Sequence, residues 1–201
     1  MHAHHLSEAK YICAFCRAPV SSTNEERIKL TQNRMKHNDP EAFLMMGQIY
    51  KEGLMGMKKD EKKALELMHK AAELGLSEAH YILADSYAGT GVEKYNNLSF
   101  YHLRLAAIGG LMEARYALGC QFYEPEKQRT KTAFQHWVIA AEAGNDASLK
   151  KVKEGYMAGY VTKDAFAKTL RAHKSATDEV KSLERDAAVN GRGSSRSPAD
   201  L

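Results

Sequence analysis

The sequence predicts an all-α, right-handed solenoid of antiparallel helix pairs, with three clear repeats and a degraded fourth. Three observations carry this reading. An Ala-Ala pair recurs as Ala71-Ala72, Ala106-Ala107 and Ala140-Ala141, in steps of 35 and 34 residues. A glycine follows each pair at one offset, at Gly75, Gly110 and Gly144. Ahead of each pair stands a spaced set of two small residues and an aromatic: Ala42/Gly47/Tyr50, Ala79/Ala84/Tyr87 and Ala114/Gly119/Phe122. Self-similarity at such a period is the signature of stacked helical units.

The residue types have a physical purpose. Ala or Gly where two helices cross lets their backbones approach, and an aromatic nearby fills the remaining space. A glycine just past the second helix suits a left-handed C-cap. One helix pair cannot bury its own apolar face, so each unit is stabilised by its neighbours.

The combined pattern, A-x-x-x-x-G-x-x-Y-x-x-G followed by K-A-x-x-x-x-x-x-A-A-x-x-G, resembles the Sel-one-like repeat, a relative of the tetratricopeptide repeat. Residues 39–76 carry it in full, with Ala42, Gly47, Tyr50, Gly53, Lys63, Ala64, Ala71, Ala72 and Gly75 in place. Residues 77–111 put Ser99 at the second-helix Ala and Ala84 at the first-helix Gly. Residues 112–145 keep Ala114, Gly119, Ala133 and the Ala pair, but EPEKQRT replaces the glycine turn. Over 146–175 the pattern fades. The resemblance implies a non-catalytic scaffold that binds other proteins or peptides along the concave surface of its first helices.

Taken in order, residues 1–21 form a leader, to which the histidines His2, His4 and His5 contribute no fold signal. Residues 22–38 open on a capping box, Ser22 or Thr23 with Glu25 or Glu26, and read as an N-terminal capping helix with Ile28, Leu30 and Met35 on its apolar face. Asp39-Pro40 restarts a helix as N-cap and first helical residue. The second helix of repeat one begins at Asp60. Met45, Met46, Met55, Met57 and Met68 suit irregular packing and adaptable surfaces. Trp137 aligns with Met68 and Leu103 and reads as core. His69, His102 and His136 do not form one column, so no shared metal site is expected. Residues 146–158 make one more helix. Thr162 then caps a closing helix that runs to Val189, its last turns from residue 176 growing polar, and 190–201 read as a disordered tail.

Within the leader, Cys13-Ala-Phe-Cys16 with Arg17 and Pro19 resembles the last ligand pair of a RING-type zinc finger, although Ala14 stands where that ending has proline. The pair is an incomplete metal site, and zinc is the only cofactor it suggests. The resemblance implies an alternative function, the substrate-binding part of a RING-type ubiquitin ligase, with ubiquitin transfer expected only if a complete RING exists upstream. The same two cysteines also read as spare thiols.

A net charge of +4 spread over interspersed Lys and Arg gives no signal for nucleic acid or membrane. No signal peptide or membrane-spanning run is visible, and three cysteines form no disulfide framework, which points to the cytoplasm or nucleus. No P-loop, GxGxxG, H-E-x-x-H or nucleophile elbow is present. No catalytic residue is expected.

A partner-binding stripe follows from the helical period of about 100° per residue. Offsets −1, +3 and +6 from the repeat Ala face away from the core: Glu41, Met45 and Gln48, then Glu78, Ile82 and Asp85, then Glu113, Ala117 and Cys120. With Ala147 as the fourth marker, Asp146, Lys150 and Lys153 complete it. This stripe runs from apolar and acidic to basic, which suits an extended partner with an apolar anchor at one end and acidic residues at the other. An ordinary solvated face is the other reading. Met45 and Ile82 are expected to be exposed, so replacing both with Ser should cost less than about 1 kcal/mol.

Overall fold

The computed structural model describes residues 23–88, 93–124 and 129–193, with backbone alone for 93–95 and 184–193. Among the described residues there are nine helices and no strand. A capping helix, α1 (Asn24–Lys36), precedes three hairpins: α2 (Pro40–Glu52) with α3 (Glu61–Glu73), α4 (Ser77–Tyr87) with α5 (Glu93–Ile108), and α6 (Met112–Phe122) with α7 (Arg129–Glu142). Helices α8 (Asp146–Met157) and α9 (Lys163–Gly193) close the array. None of these helices is long and apolar enough to cross a membrane.

Polar caps start the helices where the sequence places them. Thr23 Oγ1 accepts from the Glu26 amide at 3.2 Å, and Asp60 accepts from Lys63 at 3.0 Å. Asp39 accepts from Glu41 at 3.0 Å and also takes the Arg34 guanidinium at 2.7 Å. That hydrogen bond, first among several causes, holds the Asp39 carboxyl below its ordinary range.

Each hairpin is joined to the next by one turn. After α3, the Leu76 amide donates to Ala71 at 3.2 Å and the Gly75 amide to Ala72 at 2.9 Å. After α5, Leu111 donates to Ala106 and Gly110 to Ala107; after α7, Asn145 donates to Ala140 and Gly144 to Ala141. This is the paired 6→1 and 5→2 bonding of a Schellman cap, with the repeat Ala pair supplying both acceptors. The glycines have φ of 90°, 93° and 100°, a region that a Cβ disfavours. Leu76, Leu111 and Asn145 then serve directly as N-caps of α4, α6 and α8.

The core lies between helices of successive units. Ala42, Ala79 and Ala114 on first helices, and Ala71, Ala106 and Ala140 on second helices, are fully buried. One cluster joins Leu44, Met68, Ala71, Ala72, Ala79 and Leu83 from α2, α3 and α4, and the next continues from Ala84 through α5 to Leu118 of α6. Trp137 is 1% exposed and donates its indole N–H to the Tyr116 carbonyl at 3.1 Å. At Ser99, the polar replacement of a core Ala is satisfied by donation to the Ala84 carbonyl at 2.7 Å.

Two expectations need correction. Leu30 is 55% exposed, while Thr31 is buried. The inward face of α1 runs through Ile28, Thr31 and Met35, spaced by three and four, and Leu30 falls one residue off it. Helix α9 also continues past Val189 to Gly193. No proline interrupts before Pro198, so 190–193 extend the helix backbone instead of beginning a tail.

The approach of Trp137 to α6 yields a test. A Cβ on Gly119 would overlap the indole ring, whereas one on Gly47 meets Met68 Cγ at 3.0 Å and the Ala64 carbonyl oxygen at 3.2 Å, a tight but lesser conflict. Gly119→Ala should therefore destabilise by about 1–3 kcal/mol. Gly47→Ala should cost less than Gly119→Ala, because its contacts are milder and the gain in helix propensity offsets part of them. Urea denaturation of both variants measures the difference.

Candidate functional site

The turn geometry fixes which way each first helix faces. Ala42, Ala79 and Ala114 all stand at the third helical position after the N-cap and are buried, Ala79 and Ala114 in clusters with the Ala pair of the preceding second helix. In α8, whose N-cap is Asn145, that position is Ser148, which is fully buried. Ser148 also lies eight residues after the first Ala of its pair, the spacing found at Ala79 and Ala114. Ala147, the expected marker of the fourth unit, is exposed.

The stripe is accordingly redrawn by one residue in its last unit. Glu41, Met45, Gln48, Glu78, Asp85, Glu113 and Cys120 are exposed, while Ile82 and Ala117 are half-buried. Lys150 and Lys153 are exposed, yet the register equivalents of Ala117 and Cys120 are Lys151 and Glu154. Their environment agrees. The Tyr116 phenol is pushed up by its hydrogen bond with Cys120, by the charge of Cys120 and by burial, and it also feels Lys151 and Glu154 across the helix boundary. Lys151 is bonded to Glu154 at 2.9 Å. The far end of the stripe therefore carries a neutralised pair, where two free cations were expected.

Between units one and two the stripe opens into a groove of about 390 Å³. Gln48 of α2 and Tyr81, Ile82 and Asp85 of α4 line it, together with Leu54 and the buried Met68. A second groove of about 250 Å³ adjoins it and shares Lys51, Glu52 and Met68. Three of the expected partner-binding residues thus meet at one concavity, and Met45, Ala117 and Cys120 lie elsewhere on the stripe. Met45 leans toward the capping helix, where its sulfur takes the Thr31 hydroxyl at 3.5 Å. Ile82 packs against the first core cluster. Met45→Ser should therefore change stability by less than about 1 kcal/mol, while Ile82→Ser should cost about 1–3 kcal/mol. Ile82 is thus half-buried where exposure was expected. Thermal melts of the two single variants test the split.

A second constellation escaped the sequence reading. His80 Nδ1 faces His102 Nδ1 at 2.9 Å, and His69 Nε2 meets the Tyr87 hydroxyl at 2.8 Å. The His69 and His102 rings are 5.5 Å apart, and Tyr101 packs edge-on against His102. His69 and His102 sit on second helices of different units, and His80 on the first helix between them, so comparing second helices alone could not bring the three together. The short Nδ1 to Nδ1 distance requires opposite tautomers, one ring donating and the other accepting. No group of three His, Cys, Asp or Glu side chains that could hold a metal ion occurs among the described residues. His136 stands apart, stacked on Phe122. Cys13 and Cys16 lie outside the described residues.

Burial, then the neighbouring His80 and His69, lowers His102 to about 4, and burial also lowers His80. An unfolded histidine titrates near 6.5, so the unfolded chain takes up protons first on acidification. Neutral His102 contributes its stability fully above about pH 6.5 and loses it as pH falls toward 4, a swing on the order of 3 kcal/mol. Melting temperature should fall across that window, and His102→Phe should flatten the fall.

The Sel1 repeat family matches residues 40–76, 77–111 and 113–145, just over half of the 201 residues. The match begins after the leader and adds nothing to the zinc-finger resemblance there. A crystal structure of a Sel1 repeat protein from Oxalobacter formigenes is similar at 28% identity, covering 64% of this chain and 98% of its own, with a TM-score of 0.56. The structure of c5321, a protective antigen of uropathogenic Escherichia coli with an SLR fold, shares 24% identity over 83% of this chain, with a TM-score of 0.60, and bears on the fold alone. This chain spans 36% of that one. No curated protein matches the sequence. Three family repeats, laid end to end over the helix pairs described above, show that the chain belongs to the Sel1 repeat family.

Proposed function

We propose that this chain is a non-catalytic protein-interaction scaffold whose first-helix face receives other proteins or peptides. The observation that carries the reading is the groove between α2 and α4, where Gln48, Ile82 and Asp85 of the outward stripe surround an apolar floor. A solvated helix face has no need of a concavity floored by Met68 and flanked by Tyr81. Stacked helix pairs present such surfaces as a consequence of their curvature, and side chains of an extended segment fit between successive first helices. Met45, Ala117 and Cys120 extend the surface along the array, and Lys151 with Glu154 ends it.

The test is selection of random twelve-residue peptides against the full chain, followed by mapping of bound peptides through backbone amide shifts. Shifts centred on α2, α4 and α6 are expected. Shifts confined to the outer faces of α3, α5 and α7, or a selection that returns no binder, would refute the reading.

A further inference from the structure

We propose that the groove between α2 and α4 takes a peptide segment in which an apolar side chain neighbours a lysine or arginine. The apolar group sits against Tyr81 and Ile82, and the cationic head lies between Asp85 and Glu52. This rests on the interaction reading above and specifies its ligand.

Two carboxylates stand where helix stability does not explain them. A negative charge in the last turn of a helix opposes the helix dipole. Asp85 stands in the last turn of α4, which has no basic residue there. Glu52 is the final residue of α2. The two helices point both carboxylates toward one groove. Among the described residues Asp85 has no ion pair. Glu52 acts on Lys59, but that ammonium is already bonded to Glu61 at 2.9 Å.

Lys51 lines the same groove and offsets one of the two acids, leaving an excess of one negative charge. The surrounding stripe adds no cation to cancel it. Lys151 is bonded to Glu154, and Arg34 is shared between Asp39 and Glu41. Glu78 and Glu113 lie on the same stripe, exposed, although their first-turn positions favour the dipole and so explain themselves. In the turn register of α8 the far end of the stripe carries the Lys151–Glu154 pair, with Lys150 and Lys153 exposed beside it, at the other end of the array from this groove. What remains is a negative groove on an apolar floor in a chain whose net charge is +4. A basic side chain brings complementary charge to it, and its aliphatic stem covers the ring and methyl surface of Tyr81 and Ile82.

The experiment uses the peptides selected against the full chain, sorted by composition, and an Asp85→Asn variant. Binders that pair an apolar residue with Lys or Arg, shift the amides of Gln48, Tyr81 and Asp85, and lose at least fivefold in affinity with Asp85→Asn would support the proposal. The variant should melt no lower than wild type, because it removes a charge that opposes the dipole, so lost affinity is not lost folding. Acidic or uncharged binders seated in the same groove would overturn the proposal and leave the interaction reading standing. Unchanged affinity in Asp85→Asn would overturn it as well. Self-association in sedimentation that Asp85→Asn abolishes would overturn it in favour of a second copy of the chain. Binders mapping only to the opposite face would remove both readings together.

Discussion

The turn that leaves each second helix and enters the next first helix is the constraint on which the rest depends. Its length is fixed because one residue serves two purposes. Leu76, for example, closes the Schellman bond to Ala71 and is also the N-cap of α4. With no spare residue, the rotational phase of the incoming helix is set before any of its side chains packs. That phase buries Ala79, Ala114 and Ser148 at one position of their helices. It also decides which three positions face outward, and so where the groove opens. The left-handed glycine at the centre is the element that makes so tight a turn available.

Much of this was legible in the sequence, because backbone proximity admits few residue types. The Ala pair and its glycine mark the end of a second helix, and no other arrangement of those residues is as economical. The fourth unit shows where legibility stops. Asn145-Asp146-Ala147-Ser148 offers an alanine one position ahead of the true marker, and composition favours the wrong one. Only the turn, with Asn145 bonded to Ala140 and accepting from Ser148 at 2.8 Å, shows that serine is inside. Shifting by one residue put the exposed Lys150 and Lys153 on the stripe in place of the bonded Lys151–Glu154 pair. Ile82 illustrates a milder limit, since a helical wheel separates inside from outside but does not reveal how far a neighbouring helix overhangs the boundary.

The histidine cluster lay out of reach for a different reason. Periodicity compares equivalent positions, and His69, His80 and His102 are not equivalent. They meet because each interface joins a second helix, the first helix after it and the second helix beyond. Residues placed once in the repeat, on three different elements, leave no periodic trace. Their contact gives the junction of units one and two a polar interior, with His80 and His102 sharing one N–H···N bond, whereas the junction around Trp137 and Phe134 is aromatic. Burial lowers His136 of α7 as it does His80 and His102, so acid bears on buried histidines in both halves of the solenoid.

The fixed turn has a further consequence for where the chain tolerates change in length. From the first Ala of each pair to the next buried first-helix residue the spacing is eight in all three cases, Ala71 to Ala79, Ala106 to Ala114 and Ala140 to Ser148. From the first-helix residue to the first Ala of its own pair it drifts, through 29, 27 and 26 residues from Ala42, Ala79 and Ala114. Insertions and deletions are thereby confined to the connections inside the hairpins, along one edge of the array. That edge is the place to graft a reporter peptide or an added loop, because material inserted there leaves the angular relation between units untouched. The opposite edge behaves as a ruler and admits nothing.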